Sequence, residues 1–101
     1  CIRDSIIAMH YKMERSTIKS SSREGHIVKA RNLCIYFLHK YLTHKVALES
    51  TKHNLIGLYL LRDRLTIRHH QNNIAWLISH DREMIKDFKQ ILIKLNKHVF
   101  F

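Results

Sequence analysis

The sequence predicts an all-α domain of five to six helices, and three observations support this prediction. The 101 residues include no proline and only two glycines, Gly25 and Gly57, so the usual residues of hairpins and tight turns are nearly absent. Apolar residues recur at steps of three and four along most of the chain. Asp63 and Asp81 each stand just before such a pattern, where a capping residue is expected.

The length and composition suit one domain with one core. About half of the residues, 46%, are hydrophobic, which is enough for a core of moderate size. We expect a single helical domain over residues 1–101, with the packed core at about 5–95 and a tail at 96–101 that frays or folds back. No apolar run approaches the roughly 20 residues of a membrane span.

The first predicted helix covers residues 3–13, followed by a short helical turn over 16–19 that Ser16 caps. The apolar positions that indicate the first helix are Ile2, Ile6, Met9 and Met13, which fall at helical spacing. The small polar residues of 20–25 then interrupt the pattern. This stretch is the clearest loop in the sequence.

A long helix over residues 26–42 carries the strongest periodic pattern. Its inward positions are Ile27, Ala30, Cys34, Phe37, Leu38 and Tyr41. Residues 43–51 are ambiguous, because the apolar group at 46–48 could extend a helix or pack within a long connection.

Three more helices are predicted, over about 52–60, from Asp63 to about 79, and from Asp81 onwards. The inward positions are Leu55, Ile56, Tyr59 and Leu60 in the first, Ile67, Ile74, Leu77 and Ile78 in the second, and Met84, Phe88, Ile91, Leu92 and Leu95 in the third. The second of these helices has cations in its first turns.

The charge balance points to a polyanionic partner. The chain has 18 Lys and Arg against 8 Asp and Glu, a formal net charge of +10 with its nine histidines counted neutral. Such an excess favours DNA, RNA or another anionic surface. By itself it does not distinguish among these partners.

The stretch RDRLTIRHH, residues 62–70, suggests the second helix of a helix-turn-helix. In such motifs the first two turns of that helix meet base edges in the major groove, and Arg64, Leu65 and Arg68 lie at the required positions. Two other interpretations remain open. Leu65 could cover the core, and the cations could form an ordinary solvated face.

A second basic cluster surrounds the predicted loop. Arg23 lies in it, with Lys19, Lys29 and Arg31 on either side. A basic loop beside a helix start can follow phosphates or insert an arginine into a narrow minor groove.

Catalytic and metal functions find little support in the sequence. The histidines lack the spacing of zinc sites, so we expect no metal and regard them as surface or phosphate-facing donors. Cys1 and Cys34 form no CxxC pair, and the carboxylates are scattered. We therefore expect no enzyme activity, no cofactor, no small-molecule substrate and no membrane partner.

Several segments resemble one known family. They are Ile7-Ala8 with Tyr11-Lys12, the run ARNLCIY at 30–36, Ile56-Gly57, and RDRLTI at 62–67 with His69 after it. Together they are similar to the C-terminal DNA-binding domain of the bacterial replication initiator DnaA, which has a helix-turn-helix related to that of the Trp repressor. The resemblance covers about residues 5–95.

The resemblance implies roles for individual residues. Arg23 would be the minor-groove arginine of the basic loop. Arg31 and Asn32 would lie near the DNA backbone. The residues implied at the major groove and its flanking phosphates are Arg62, Asp63, Arg64, Leu65 and Thr66, with His69 at the position of a family histidine.

The sequence also departs from the family pattern. Arg64 replaces a signature histidine and Leu65 replaces a serine or threonine, so the bases read need not be the family's. The connection from 43 to 56 is about six residues longer than usual. The turn at 60–61 lacks the family's glycines, and no phosphate-binding loop of an ATPase occurs.

We therefore expect sequence-specific binding of double-stranded DNA through a recognition helix at about 63–79 and a basic loop at about 19–31. The protein would be a replication or transcription accessory module without ATPase activity, cytoplasmic and associated with the nucleoid. Two alternatives stay open: a helical adaptor that binds an acidic protein partner, and a nonspecific RNA or DNA binder.

Overall fold

The computed structural model describes residues 2–20 and 23–98, and these residues form six α-helices. The helices are α1 (Ile2–His10), α2 (Arg15–Ile18), α3 (Gly25–Thr43), α4 (Glu49–Leu60), α5 (Arg64–His80) and α6 (Arg82–His98). The described ranges contain no strand. The prediction of an all-α domain of five to six helices is confirmed.

Helix α3 lies at the centre of the fold, and α1, α2, α4 and α5 all pack against it. Six consecutive residues, 30–35, are buried, so this part of α3 is covered on every side rather than along one stripe. The apolar members of this stretch are Ala30, Leu33, Cys34 and Ile35.

The larger of two hydrophobic clusters joins α1, α3, α5 and α6. Three aromatic rings lie at its edge, where Phe37 of α3 stacks on Phe88 of α6 with ring centroids 5.5 Å apart. Tyr36 meets both rings edge-on, with centroid distances of 5.4 and 5.3 Å. Such offset and edge-to-face pairs add to the free energy gained from burial alone.

The smaller cluster holds α4 and α5 against α3. It consists of Ile35, Ile56, Leu60 and Ile67, all essentially inaccessible to solvent. Because one residue comes from α3, two from α4 and one from α5, this cluster fixes the pair α4–α5 on the rest of the domain.

Both predicted aspartate caps are present. The Asp63 carboxylate accepts a hydrogen bond from the backbone N–H of Thr66 at 2.7 Å, and Asp81 accepts one from Met84 at 3.0 Å. Each bond satisfies a backbone donor that the first turn of the helix leaves unpaired. The predicted cap at Ser16 is wrong, because α2 begins at Arg15 and Glu14 precedes it without a side-chain cap bond.

Several inward positions were predicted wrongly. Met9, Tyr41 and Leu55 are 76%, 39% and 42% exposed. Met9 lies near the end of α1, which stops at His10. Tyr41 lies where α3 continues past the helices that cover its middle. Helix α4 begins at Glu49, which resolves the ambiguous stretch into a connection at 44–48 followed by helix.

The predicted tail at 96–101 begins as helix, since α6 continues to His98. Residues 99–101 lie outside the described residues. None of the helices in the described part of the chain combines the length and the apolar character that crossing a membrane requires.

Candidate nucleic-acid interface

Helices α4 and α5 pack against each other and are joined by a turn of three residues, 61–63. Leu61 adopts the left-handed conformation, with φ 58° and ψ 45°. The backbone N–H groups of Leu61 and Arg62 both donate to the carbonyl of Gly57, the latter at 2.8 Å. This bonding closes the end of α4 in the manner of a Schellman motif.

The glycine that this turn needs lies within α4 rather than at the turn itself. A Cβ atom at Gly57 would fall on the carbonyl oxygen of Arg62, closer than real Cβ contacts approach. The chain therefore passes directly over α4 at Gly57 as it enters α5. A non-glycine residue at 61 accepts the left-handed conformation at a cost of roughly 1–2 kcal/mol.

The first two turns of α5 present an exposed row of side chains. Arg64, Leu65, Arg68 and His69 are all exposed, whereas Ile67 between them is buried. Thr66 is half-buried. At 65% exposed, Leu65 does not cover the core. The row can offer guanidinium donors and one apolar side chain to a groove-shaped partner.

Arg62 lies in the turn and is half-buried, with its guanidinium directed to the chain itself. It donates to the carbonyls of Leu60 and Leu61 at 3.1 and 3.3 Å, and to that of Ser20 at 2.6 Å. Arg62 thus positions the turn, although the resemblance had implied a contact with DNA.

Arg31 and Asn32 lie inside the domain, at 6% and 5% exposed. The Arg31 guanidinium donates to the carbonyls of Ile18 at 3.0 Å and Ser20 at 2.6 Å. Burial and the nearby charge of Arg62 lower its pKa below the ordinary arginine value. The implied placement of these two side chains near a DNA backbone is therefore corrected: both belong to the packed interior of α3.

The four cations of the basic loop region have different environments. Lys19 lies 4.0 Å above the Tyr59 ring, and Lys29 pairs with Glu83 at 2.5 Å. Arg31 is buried. Arg23 is exposed, at the start of the described segment 23–98. Of these four, Arg23 is therefore the one whose exposure suits a contact with a partner.

Two histidines at the end of RDRLTIRHH differ in environment. His69 is exposed, whereas His70 is half-buried. Burial, followed by the charges of His69, Arg31 and Arg62, lowers the pKa of His70 below the usual histidine value of 6.5. The neutral form of His70 is consequently favoured at pH 7, so His70 adds little positive charge to the α5 surface.

A cleft between α4 and α5 borders the exposed row. Its lining residues are Glu49, Ser50, His53, Arg64, Leu65, Arg68, Gln71 and Asn72. Of these lining residues, the sequence predicts a functional role for Arg64, Leu65 and Arg68 on α5, but for none on α4. The helix predicted over about 52–60 excludes Glu49, whereas α4 begins at this residue.

The structure also brings together a histidine pair that the spacing rules miss. His39 of α3 and His53 of α4 stack with ring centroids 5.7 Å apart, and Glu49 lies beside both. The two histidines are fourteen residues apart in the sequence, which matches no familiar ligand spacing. The packing of α3 against α4 brings them together. The Glu49–His53 spacing of one turn was the available clue.

No protein-family model matches the chain, and no curated protein matches it either.

Proposed function

We propose that this domain binds double-stranded DNA sequence-specifically, with α5 as the recognition helix in the major groove and Arg23 in the adjacent minor groove. It acts as a replication or transcription accessory module without ATPase or other catalytic activity. The proposal extends the resemblance of residues 56–57 and 62–67 to the replication initiator's DNA-binding domain.

The observation that carries the proposal is the exposed row on α5. Arg64, Leu65 and Arg68 face solvent in its first two turns, while Ile67 and Ile74 anchor the same helix in the core. Helix-turn-helix proteins read bases from these turns. The net charge of +10 supplies the attraction to a polyanion.

The arginines divide into two roles under this proposal. Arg64 and Arg68 are exposed and available to bases or phosphates. Arg31 and Arg62 both donate to the carbonyl of Ser20, so they link the basic loop to the helix-turn-helix. Substitution of Arg62 is therefore expected to disturb geometry rather than to remove a base contact.

The first test is a selection from random duplexes at about 0.15 M salt, since salt sets how strongly nonspecific binding competes. We expect an enriched motif, and a change in base preference at one position for Arg64→Ala, with a loss of about 1–3 kcal/mol on the best site. The control is Lys89→Ala, which removes one exposed charge from α6. It should weaken all duplexes alike.

An absence of any enriched motif, together with equal affinity for unrelated duplexes, would leave only the nonspecific RNA or DNA binder. A motif that Arg64→Ala leaves unchanged would mean that α5 does not read the bases. Either outcome would rule out α5 as a recognition helix.

One observation favours a second candidate, a helical adaptor for an acidic protein. Leu58, Leu61 and Leu65 are 74%, 75% and 65% exposed around the turn, which is unusual for apolar side chains on a monomer. Leu58→Ser distinguishes the two, because Leu58 belongs to α4 and not to the row on α5. It should weaken a protein complex strongly and leave the selected DNA motif unchanged.

A further inference from the structure

Three side chains from two helices converge at the cleft end of α4. The Nε2 atom of His39 lies 2.9 Å from Oε2 of Glu49, and Nε2 of His53 lies 3.7 Å from the same oxygen. The three potential ligand atoms all lie within 4.8 Å of one another. Glu49 and His53 are one helical turn apart, so α4 presents both on one face.

These separations are close to those of a metal site. Ligands at about 2.1 Å from a tetrahedral ion are about 3.4 Å apart, and the two separations to Glu49 lie on either side of that value. The histidine rings are nearly parallel, with an interplanar angle of 21°. Small side-chain adjustments, with no movement of either helix, would bring both nitrogens and the oxygen to bonding distance.

We propose that His39, Glu49 and His53 bind a divalent transition metal of the zinc class and that the ion joins α3 to α4. Two imidazole nitrogens and one carboxylate form a ligand set typical of zinc with an open fourth position. The site does not depend on DNA binding.

The environment of Glu49 suits this role. Its carboxylate lies between the ammonium of Lys52 on one side and the imidazoles of His39 and His53 on the other. Lys52 donates to Oε1 at 2.9 Å, while Oε2 faces the histidines. One oxygen is thereby held by the lysine and the other is directed to the metal position.

Burial defines which side of the site is open. The side chains of His53 and His39 are 6% and 16% exposed, whereas that of Glu49 is 59% exposed. An ion enters past Glu49, and water takes the fourth position beside it. Gln71 of α5 is the other available oxygen, with Oε1 3.4 Å from Nε2 of His53.

Lys52 also limits the strength of the site. Its ammonium is nearly buried, at 6% exposed, and its charge opposes that of a bound cation. With three protein ligands and this neighbour, binding is expected to be weaker than at a structural zinc site with four protein ligands. The ion would stabilise the folded chain without being required for folding.

The test is titration of the chelator-treated 101-residue chain with Co²⁺, followed by visible absorption, and with Zn²⁺, followed by calorimetry. We expect one ion per chain, an absorption band typical of four-coordinate Co²⁺, and a higher midpoint of thermal unfolding with Zn²⁺. His39→Ala and His53→Ala should each weaken Zn²⁺ binding by about tenfold or more.

The matched control is the double variant His69→Ala with His70→Ala, which removes two imidazoles from α5 and should keep one-to-one binding. Circular dichroism verifies the fold of each variant. If His53→Ala does not fold, Glu49→Gln replaces it, because Glu49 is exposed and the change keeps its size.

One-to-one binding that survives in both His39→Ala and Glu49→Gln would overturn the proposal. So would the absence of saturable binding to the wild-type chain, which would leave the three side chains as a hydrogen-bond cluster only.

Discussion

At the scale of single residues, Gly57 determines how the turn leaves α4. Replacing glycine by alanine inside a helix ordinarily stabilises it by about 1 kcal/mol. At Gly57 the sign should reverse, because the added methyl group meets the Arg62 carbonyl and the backbone has to move. We expect Gly57→Ala to lower the free energy of unfolding by about 1–3 kcal/mol in urea titrations.

The control for this variant is Gly25→Ala, at the first position of α3, where an added Cβ meets nothing within 4 Å. It should leave stability unchanged or raise it slightly. Equal effects of the two substitutions would mean that the close approach at Gly57 is not what constrains this position.

At the scale of helices, the hydroxyl of Tyr59 in α4 donates a hydrogen bond to the carboxylate of Asp4 in α1. Burial raises the pKa of Asp4, but this bond and nearby positive charges such as Arg15 outweigh burial and hold the pKa below the usual 3.8. Burial and the same bond raise the pKa of Tyr59 to about 12, so the hydroxyl keeps its proton at neutral pH.

This contact should make part of the stability sensitive to acid. A carboxyl whose pKa is lower in the folded state contributes stability that is present above the unfolded pKa of 3.8 and lost as the pH falls through the folded pKa. We therefore expect Tyr59→Phe to destabilise the chain at pH 6 and to differ progressively less from wild type below about pH 4.

Urea titrations at a series of pH values measure this difference. Tyr41→Phe is the control, because Tyr41 is 39% exposed and lies at the far end of α3. A difference in the free energy of unfolding between Tyr59→Phe and wild type that stays constant down to about pH 2.5 would contradict the coupling to Asp4.

The helices themselves were largely predictable, because local chemistry specifies them. Asp63 and Asp81 cap α5 and α6 as expected from their position before apolar periodic stretches. The contact between Asp4 and Tyr59 was not predictable, since it joins residues 55 positions apart. It depends on how α1 and α4 meet α3.

The candidate site was predictable only in part for a related reason. Sequence reveals which residues carry charge, but packing decides whether a charge faces outwards. Arg64 and Arg68 are exposed as the helical periodicity of α5 required. Arg31 and Arg62 looked equally suitable in the sequence, yet each is directed to main-chain carbonyls.

At the scale of the whole molecule, net charge acts against the fold. The described residues span 32 × 30 × 27 Å, comparable with the Debye length of about 30 Å at 0.01 M salt. In dilute buffer the cations therefore repel one another across the whole molecule. Since they outnumber the anions by ten, this repulsion destabilises the compact state.

Added salt should consequently stabilise this protein. At about 0.1 M the Debye length falls to about 10 Å, and distant repulsion is screened. We expect the midpoint of thermal unfolding to rise between these two concentrations of NaCl, as measured by circular dichroism. A fall would show that local ion pairs such as Lys29–Glu83 outweigh the net repulsion.

The carbonyl of Ser20, which accepts from both Arg31 and Arg62, has a consequence for lengthening the chain. An insertion at that loop would displace a single oxygen that binds both α3 and the turn between α4 and α5. In the connection at 44–48, the backbone N–H groups of Lys45 and Val46 donate to the carbonyl of Leu42, only three and four residues earlier, and four of the five residues are exposed. Extra sequence, or a fused domain, is therefore better accommodated between α3 and α4 than between α2 and α3.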